Sequence, residues 1–125
     1  MAGKNQGQER RQFQRIDYNI PVKLSQEDGD IVTETSNVSR SGVYCKVSKY
    51  IEPMTKMQVQ LMLPLRKAGK QRAKNITCQG VVVRTEPLSG EDYNVAVFFN
   101  DISQRDAESI ADYISTQLED RTEKN

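Results

Sequence analysis

Three arginines near the N-terminus, Arg10, Arg11 and Arg15, and a short polar stretch, Asn37-Val38-Ser39-Arg40-Ser41-Gly42, hold the side chains of this sequence best suited to binding chemistry. Arg11 and Arg15 share one face in either regular conformation, about 6 Å apart at Cβ in a helix and roughly 13 Å apart along a strand. A guanidinium is permanently charged, offers a planar fork to phosphate oxygens and can lie bidentate on the O6 and N7 acceptors of guanine. The second stretch is complementary. The Asn37 carboxamide can donate to and accept from the polar edge of a base, the Ser39 hydroxyl can bond phosphate or a ring nitrogen, and Gly42 admits close backbone approach. Each stretch also has an ordinary reading, the first as a solvated basic arm and the second as an Asx or serine turn.

Other chemistries are poorly supported. The chain of 125 residues has no histidine, which removes the Ser-His and Cys-His nucleophile pairings and the commonest metal ligand. The Gly69-Lys70 pair is followed by Gln71 and lacks a glycine five residues before it, so it is not a phosphate-binding GxxxxGK(S/T) loop. Cys45 and Cys78 stand in apolar strand-like runs and read as reduced core residues; two thiols neither staple a secreted scaffold nor complete a zinc site. No catalytic residue, no metal site and no enzymatic activity are expected.

The elements that must position the two stretches follow from hydrophobic periodicity. Residues 1–9 have no periodic apolar residue and read as a flexible N-terminal arm. Ile16, Tyr18, Ile20, Val22 and Leu24 alternate with polar or small residues, the two-residue period of a half-buried strand, with Pro21 marking an edge or bulge. Glu27-Asp28-Gly29-Asp30 supplies a turn, Ile31 to Thr35 returns as a strand, and Asn37 to Gly42 reads as a second tight connection. Val43 to Val47 is a third strand, and Met57, Val59, Leu61 and Leu63 a fourth that stops at Pro64. The basic stretch Arg66-Lys67-Lys70-Arg72-Lys74 reads as a solvated hairpin loop before a long strand over Ile76 to Arg84, bent at Gly80. Tyr93 to Phe99 is the sixth strand. So many short strands with turns at this spacing predict an all-β architecture with one C-terminal helix, a six-stranded antiparallel β-barrel over about 16–100. In the helix, about 103–120, Ser103 caps, Asp106 sits in the first turn, and Ala107, Ile110, Ala111, Ile114 and Leu118 form the apolar stripe. One domain over 10–120 is expected, with 121–125 as a tail.

The net charge is only +1, which disfavours a nucleic-acid binder held by bulk electrostatics. The charge is nonetheless segregated, with Lys4, Arg10, Arg11 and Arg15 against Glu9 in the first 15 residues and seven acids against Arg105, Arg121 and Lys124 in residues 101–125. No run approaches the roughly 18 apolar residues of a membrane span and no apolar leader is evident, so a cytoplasmic protein without membrane insertion is expected.

In order and spacing, Arg11 and Arg15 as RxxxR followed by Asn37, Ser39 and Gly42 as NxSxxG resemble the signature of PilZ domains. Gly80-Val81-Val82-Val83-Arg84 is similar to that family's GxVxR strand, and Tyr93-Asn94-Val95-Ala96-Val97-Phe98-Phe99 to its closing YxVGVxF strand. Ala96 stands where the last strand usually has glycine, a departure expected to bear on barrel packing rather than on ligand. The resemblance implies a bacterial cyclic di-GMP receptor. Arg11 and Arg15 would bind phosphates and guanine edges, and Asn37, Ser39 and Gly42 would enclose one guanine. It also implies that Arg10, just before RxxxR, serves a second nucleotide, giving two cyclic di-GMP molecules per chain as an intercalated pair.

The implied output is a changed surface, made by ordering of the arginine arm, offered to a downstream protein of unidentified pathway, whether motility, exopolysaccharide or adhesion in biofilm. Phe13 could stack on a base or pack the arm on the barrel, and Arg40 and Arg84 could border the nucleotide. Two alternatives stay open: a PilZ-like interaction module that binds no nucleotide, and an OB-like single-stranded nucleic-acid binder using the basic loop with Phe98 or Tyr44 as stacking platforms.

Overall fold

The computed structural model describes residues 16–67 and 69–124, and the side chains of these apart from 66, 67 and 119–124. Arg10, Arg11, Phe13, Arg15 and the expected arm over 1–9 lie outside the described residues. Six strands, β1 (Pro21–Gln26), β2 (Gly29–Ser39), β3 (Gly42–Val47), β4 (Lys56–Lys67), β5 (Lys70–Pro87) and β6 (Tyr93–Asp101), precede one helix, α1 (Gln104–Lys124). They close into an antiparallel barrel in the order β1-β2-β3-β6-β5-β4, because β1 pairs with both β2 and β4. The expected architecture is therefore the observed one.

Alternation explains the interior. Val22, Leu24, Val59, Leu61, Ile76, Val82, Val95 and Val97 all turn inward and are buried, while their neighbours along each strand face outward. Gly80 sits at a register shift in β5, and a Cβ there would meet Val97 Cγ1 at 2.7 Å and Val59 Cγ2 at 3.0 Å. The bend read at this glycine is thus a bulge pressed against two core side chains. Cys45 and Cys78 are free and buried as expected.

Several expectations on element bounds are corrected. The alternating run from Ile16 enters a regular ladder only at Pro21, since residues 16–20 meet β2 by isolated contacts. Asn37, Val38 and Ser39 belong to β2, so the tight connection shrinks to Arg40 and Ser41. β4 passes through Pro64, which faces Ala73; β1 covers β4 only from Gln58 to Leu61, and a strand tolerates proline where one edge is uncovered. The basic stretch is not a loop but the end of a β4–β5 ribbon, with Lys67 facing Lys70 and Gly69 at φ 76° in the turn.

Helix α1 starts as expected. The Ser103 hydroxyl accepts from the Asp106 amide at 3.1 Å and the Ser103 carbonyl accepts from the Ala107 amide at 3.0 Å. Ala107, Ile110, Tyr113 and Ile114 bury one face against the barrel, and Tyr113 meets Tyr18 edge-on with ring centroids 6.3 Å apart. The helix continues to Lys124, past its expected end near 120, because no glycine or proline follows Leu118 to stop it.

Candidate functional site

The polar turn between β2 and β3 is held from within. Ser39 is fully buried, and its Oγ accepts from the Ser41 amide at 3.2 Å, lies 3.1 Å from the Ser41 hydroxyl and donates to the Gly42 carbonyl at 3.4 Å. The Ser41 carbonyl in turn accepts from the Phe99 amide at 2.9 Å, tying the turn to β6. Arg40 points outward at the tip, and Asn37 is half-buried opposite Tyr44. Gly42 is required by a close approach inside the protein: a Cβ there would sit 2.2 Å from the Val97 carbonyl oxygen across the β3–β6 ladder.

The entering chain is fastened to this same strand. Ile16 and Val38 exchange backbone hydrogen bonds of 3.1 and 3.0 Å, and the Thr35 amide donates to the Ile20 carbonyl at 2.9 Å. Thr35, fully buried, adds its side chain: Oγ1 accepts from the Ile20 amide at 3.0 Å and donates to the Tyr18 carbonyl at 2.6 Å. The hydroxyl replaces the ladder where Pro21 and the register shift between Thr35 and Asn37 interrupt it. Sequence reading missed Thr35, whose partners lie 15 and 17 residues away and leave no local signal. The peptide bond makes Arg15 the immediate neighbour of Ile16, and Val38 lies between Asn37 and Ser39. Ile16, the residue that follows RxxxR in the sequence, is therefore held at the middle of NxSxxG.

Beyond the turn, the outer face of β3, β6 and β5 carries a hollow of about 200 Å³ lined by Ser41, Gly42, Tyr44, Val83, Arg84, Ala96 and Phe98 among others. Pairing explains its shape. One cross-strand row runs Gly42, Phe98, Val81 and the next Tyr44, Ala96, Arg84, so two small residues lie diagonally among larger ones. Ala96, buried in the barrel wall, is also part of the hollow's lining. Arg84 also reaches Glu86 at 3.9 Å, both side chains well exposed.

Burial pushes the Cys45 thiol up to about 12, and burial with a smaller contribution from Asp106 and Asp101 does the same for Cys78. Burial, then the neighbouring Tyr18, raises the Tyr113 hydroxyl. None of these groups lines the hollow, and among the described residues no cluster of three or more His, Cys, Asp or Glu side chains could hold a metal. Among those residues no helix is long and apolar enough to cross a membrane.

The molecule is thus a closed antiparallel barrel with a polar turn fastened to the entering chain and a hollow beside it. The chain belongs to the PilZ domain family, whose model matches residues 9–116. PilZ domains are a family of cyclic di-GMP receptors. The fold is similar to that of the Bacillus subtilis inhibitor of motility MotI/DgrA, with a TM-score of 0.71 and 24% identity over 88% of this chain and 52% of that one. This chain therefore spans about half the length of that protein. Comparison with curated proteins returned no match.

Proposed function

We propose that this protein is a cytoplasmic cyclic di-GMP receptor in which the N-terminal arginines close over a nucleotide seated at the β2–β3 turn. The observation that supports this reading is the Ile16–Val38 pair, in which Ile16 directly follows RxxxR in the sequence and Val38 lies within NxSxxG. Arg11 and Arg15 bind phosphates and guanine edges, and Asn37 bonds one guanine. Ser39 acts by holding the turn in shape, and Gly42 by keeping the strand beneath it closed. Arg10 serves a second nucleotide, so the saturated protein holds two. Because the chemistry is recognition, the output is a rearranged surface offered to a protein partner. Motility, named for the similar Bacillus subtilis structure, is the first pathway to assay.

Titration calorimetry tests the reading, with cyclic di-GMP set against GTP and a short oligonucleotide at two salt concentrations. Only the cyclic dinucleotide is expected to bind tightly, and Arg11→Ala or Arg15→Ala should abolish binding with unchanged circular dichroism. Unchanged affinity in both variants rejects the clamp. Preference for the oligonucleotide with a steep loss on raising salt would instead mark a nucleic-acid binder.

A further inference from the structure

We propose that Phe98 is a stacking platform for one guanine of the bound nucleotide, received in the hollow over Gly42 and Ala96. This rests on the nucleotide-receptor reading and adds to it a residue outside both signature stretches. Position singles Phe98 out: it is 47% exposed although it stands in the closing strand of the barrel, and its direct cross-strand neighbour is Gly42. Facing residues in such a ladder have Cβ atoms about 5 Å apart, and residues two apart along a strand are separated by about 6.8 Å. At position 42 even a Cβ would press on the Val97 carbonyl oxygen and come within 3.3 Å of the Phe98 Cα, so glycine lets β3 lie close and flat beside Phe98. Ala96, two residues before Phe98, keeps the floor low in the next row, where Tyr44 and Arg84 stand on either side.

The hollow offers what a planar base requires: an aromatic face, a shallow floor, and a guanidinium able to lie in the plane of the base. Its Ser41 and Gly42 are also residues of the turn that Ser39 organises, so hollow and signature turn are one continuous surface. The exposed Arg84–Glu86 contact, at 3.9 Å, is weak enough to give way to a ligand.

The chain has no tryptophan, so Phe98→Trp would introduce the sole indole, a direct reporter of stacking. Titrated with cyclic di-GMP, the Phe98→Trp protein should show saturable quenching of its emission and near-normal affinity. Phe98→Ala should bind roughly ten- to a hundred-fold more weakly, in line with base-aromatic stacking. If Phe98 merely covers the Gly42 backbone, Phe98→Ala will lower the melting temperature, but its affinity will be unchanged and the indole emission of the Phe98→Trp protein will not respond. That outcome, with Arg11→Ala still abolishing binding, overturns the Phe98 assignment and leaves the receptor reading standing. Absence of nucleotide binding by the unmodified protein overturns both.

Discussion

Ile16 and Val38 donate to and accept from one another through their backbones, at 3.1 and 3.0 Å, and both side chains are buried in the core. The first residue after the arginine motif is thus paired with the second residue of the polar motif. Ile16 and Val38, well apart in sequence, become adjacent through one pair of hydrogen bonds. Buried backbone groups that lose such partners are costly, so the junction is expected to resist fraying.

Thr35 reinforces that junction, and Thr35→Val removes its hydroxyl while keeping its shape. The Ile20 amide would lose its side-chain acceptor and the Tyr18 carbonyl its side-chain donor at a fully buried site. A loss of about 1–3 kcal/mol is expected, read as a lower urea midpoint with an unchanged m-value. Thr35→Ser should retain most of the stability, and a valine variant with the normal midpoint would show that the stitch is dispensable.

Gly42→Ala should behave differently from the arginine variants. Its Cβ would stand 2.2 Å from a backbone oxygen that cannot rotate away, so β3 and β6 must separate locally. Overpacking of this kind costs about 1–3 kcal/mol or more. Thermal melts without ligand should therefore already be lowered, whereas Arg11→Ala should melt normally. A Gly42→Ala protein of undiminished stability that fails only in binding would assign the glycine to ligand contact alone.

How far the sequence discloses this site depends on the range of the interactions involved. The barrel strands and α1 are legible because burial imposes a local period: Val59 and Leu61 alternate inward, and Ile110 and Ile114 share a helical stripe. Pro64 is misread because the effect of a proline depends on whether a neighbouring strand covers that edge, which the residue order does not state. The hollow is illegible for a related reason. That Phe98 faces Gly42 and Arg84 faces Ala96 depends on register across three strands, including a shift between Val82 and Arg84. Ser39 and Gly42 stand out as motif letters, but their roles inside the turn emerge only from the contacts.

Cys45 and Cys78 should be unreactive in the folded protein. Both thiols are pushed up to about 12 from 9.0, and thiolate is the reactive form, so a disulfide reagent at pH 8 should label neither until denaturant is added. The same shifts set a pH dependence. Above pH 9 the unfolded chain loses thiol protons that the folded chain keeps, so stability present below 9.0 declines as the pH rises toward about 12. Urea midpoints between pH 8 and 11 would check the sign, with Cys45→Ala as the variant in which the decline is shallower.

Arg10 is expected to set the number of nucleotides bound. Each cyclic di-GMP carries two phosphodiester charges, so an intercalated pair brings four, and two guanidinium groups leave half of them uncompensated in a space shared with stacked bases. Unpaired charge held out of water is costly, and a third guanidinium next to RxxxR offsets part of that cost. Calorimetry should therefore give two nucleotides per chain for the natural sequence, one for Arg10→Ala and none for Arg11→Ala. The first nucleotide should bind Arg10→Ala with little change, because Arg11, Arg15 and Asn37 remain. One nucleotide per chain at saturation of the unmodified protein would reject the paired mode, and two in the Arg10→Ala variant would remove Arg10 from any part in it.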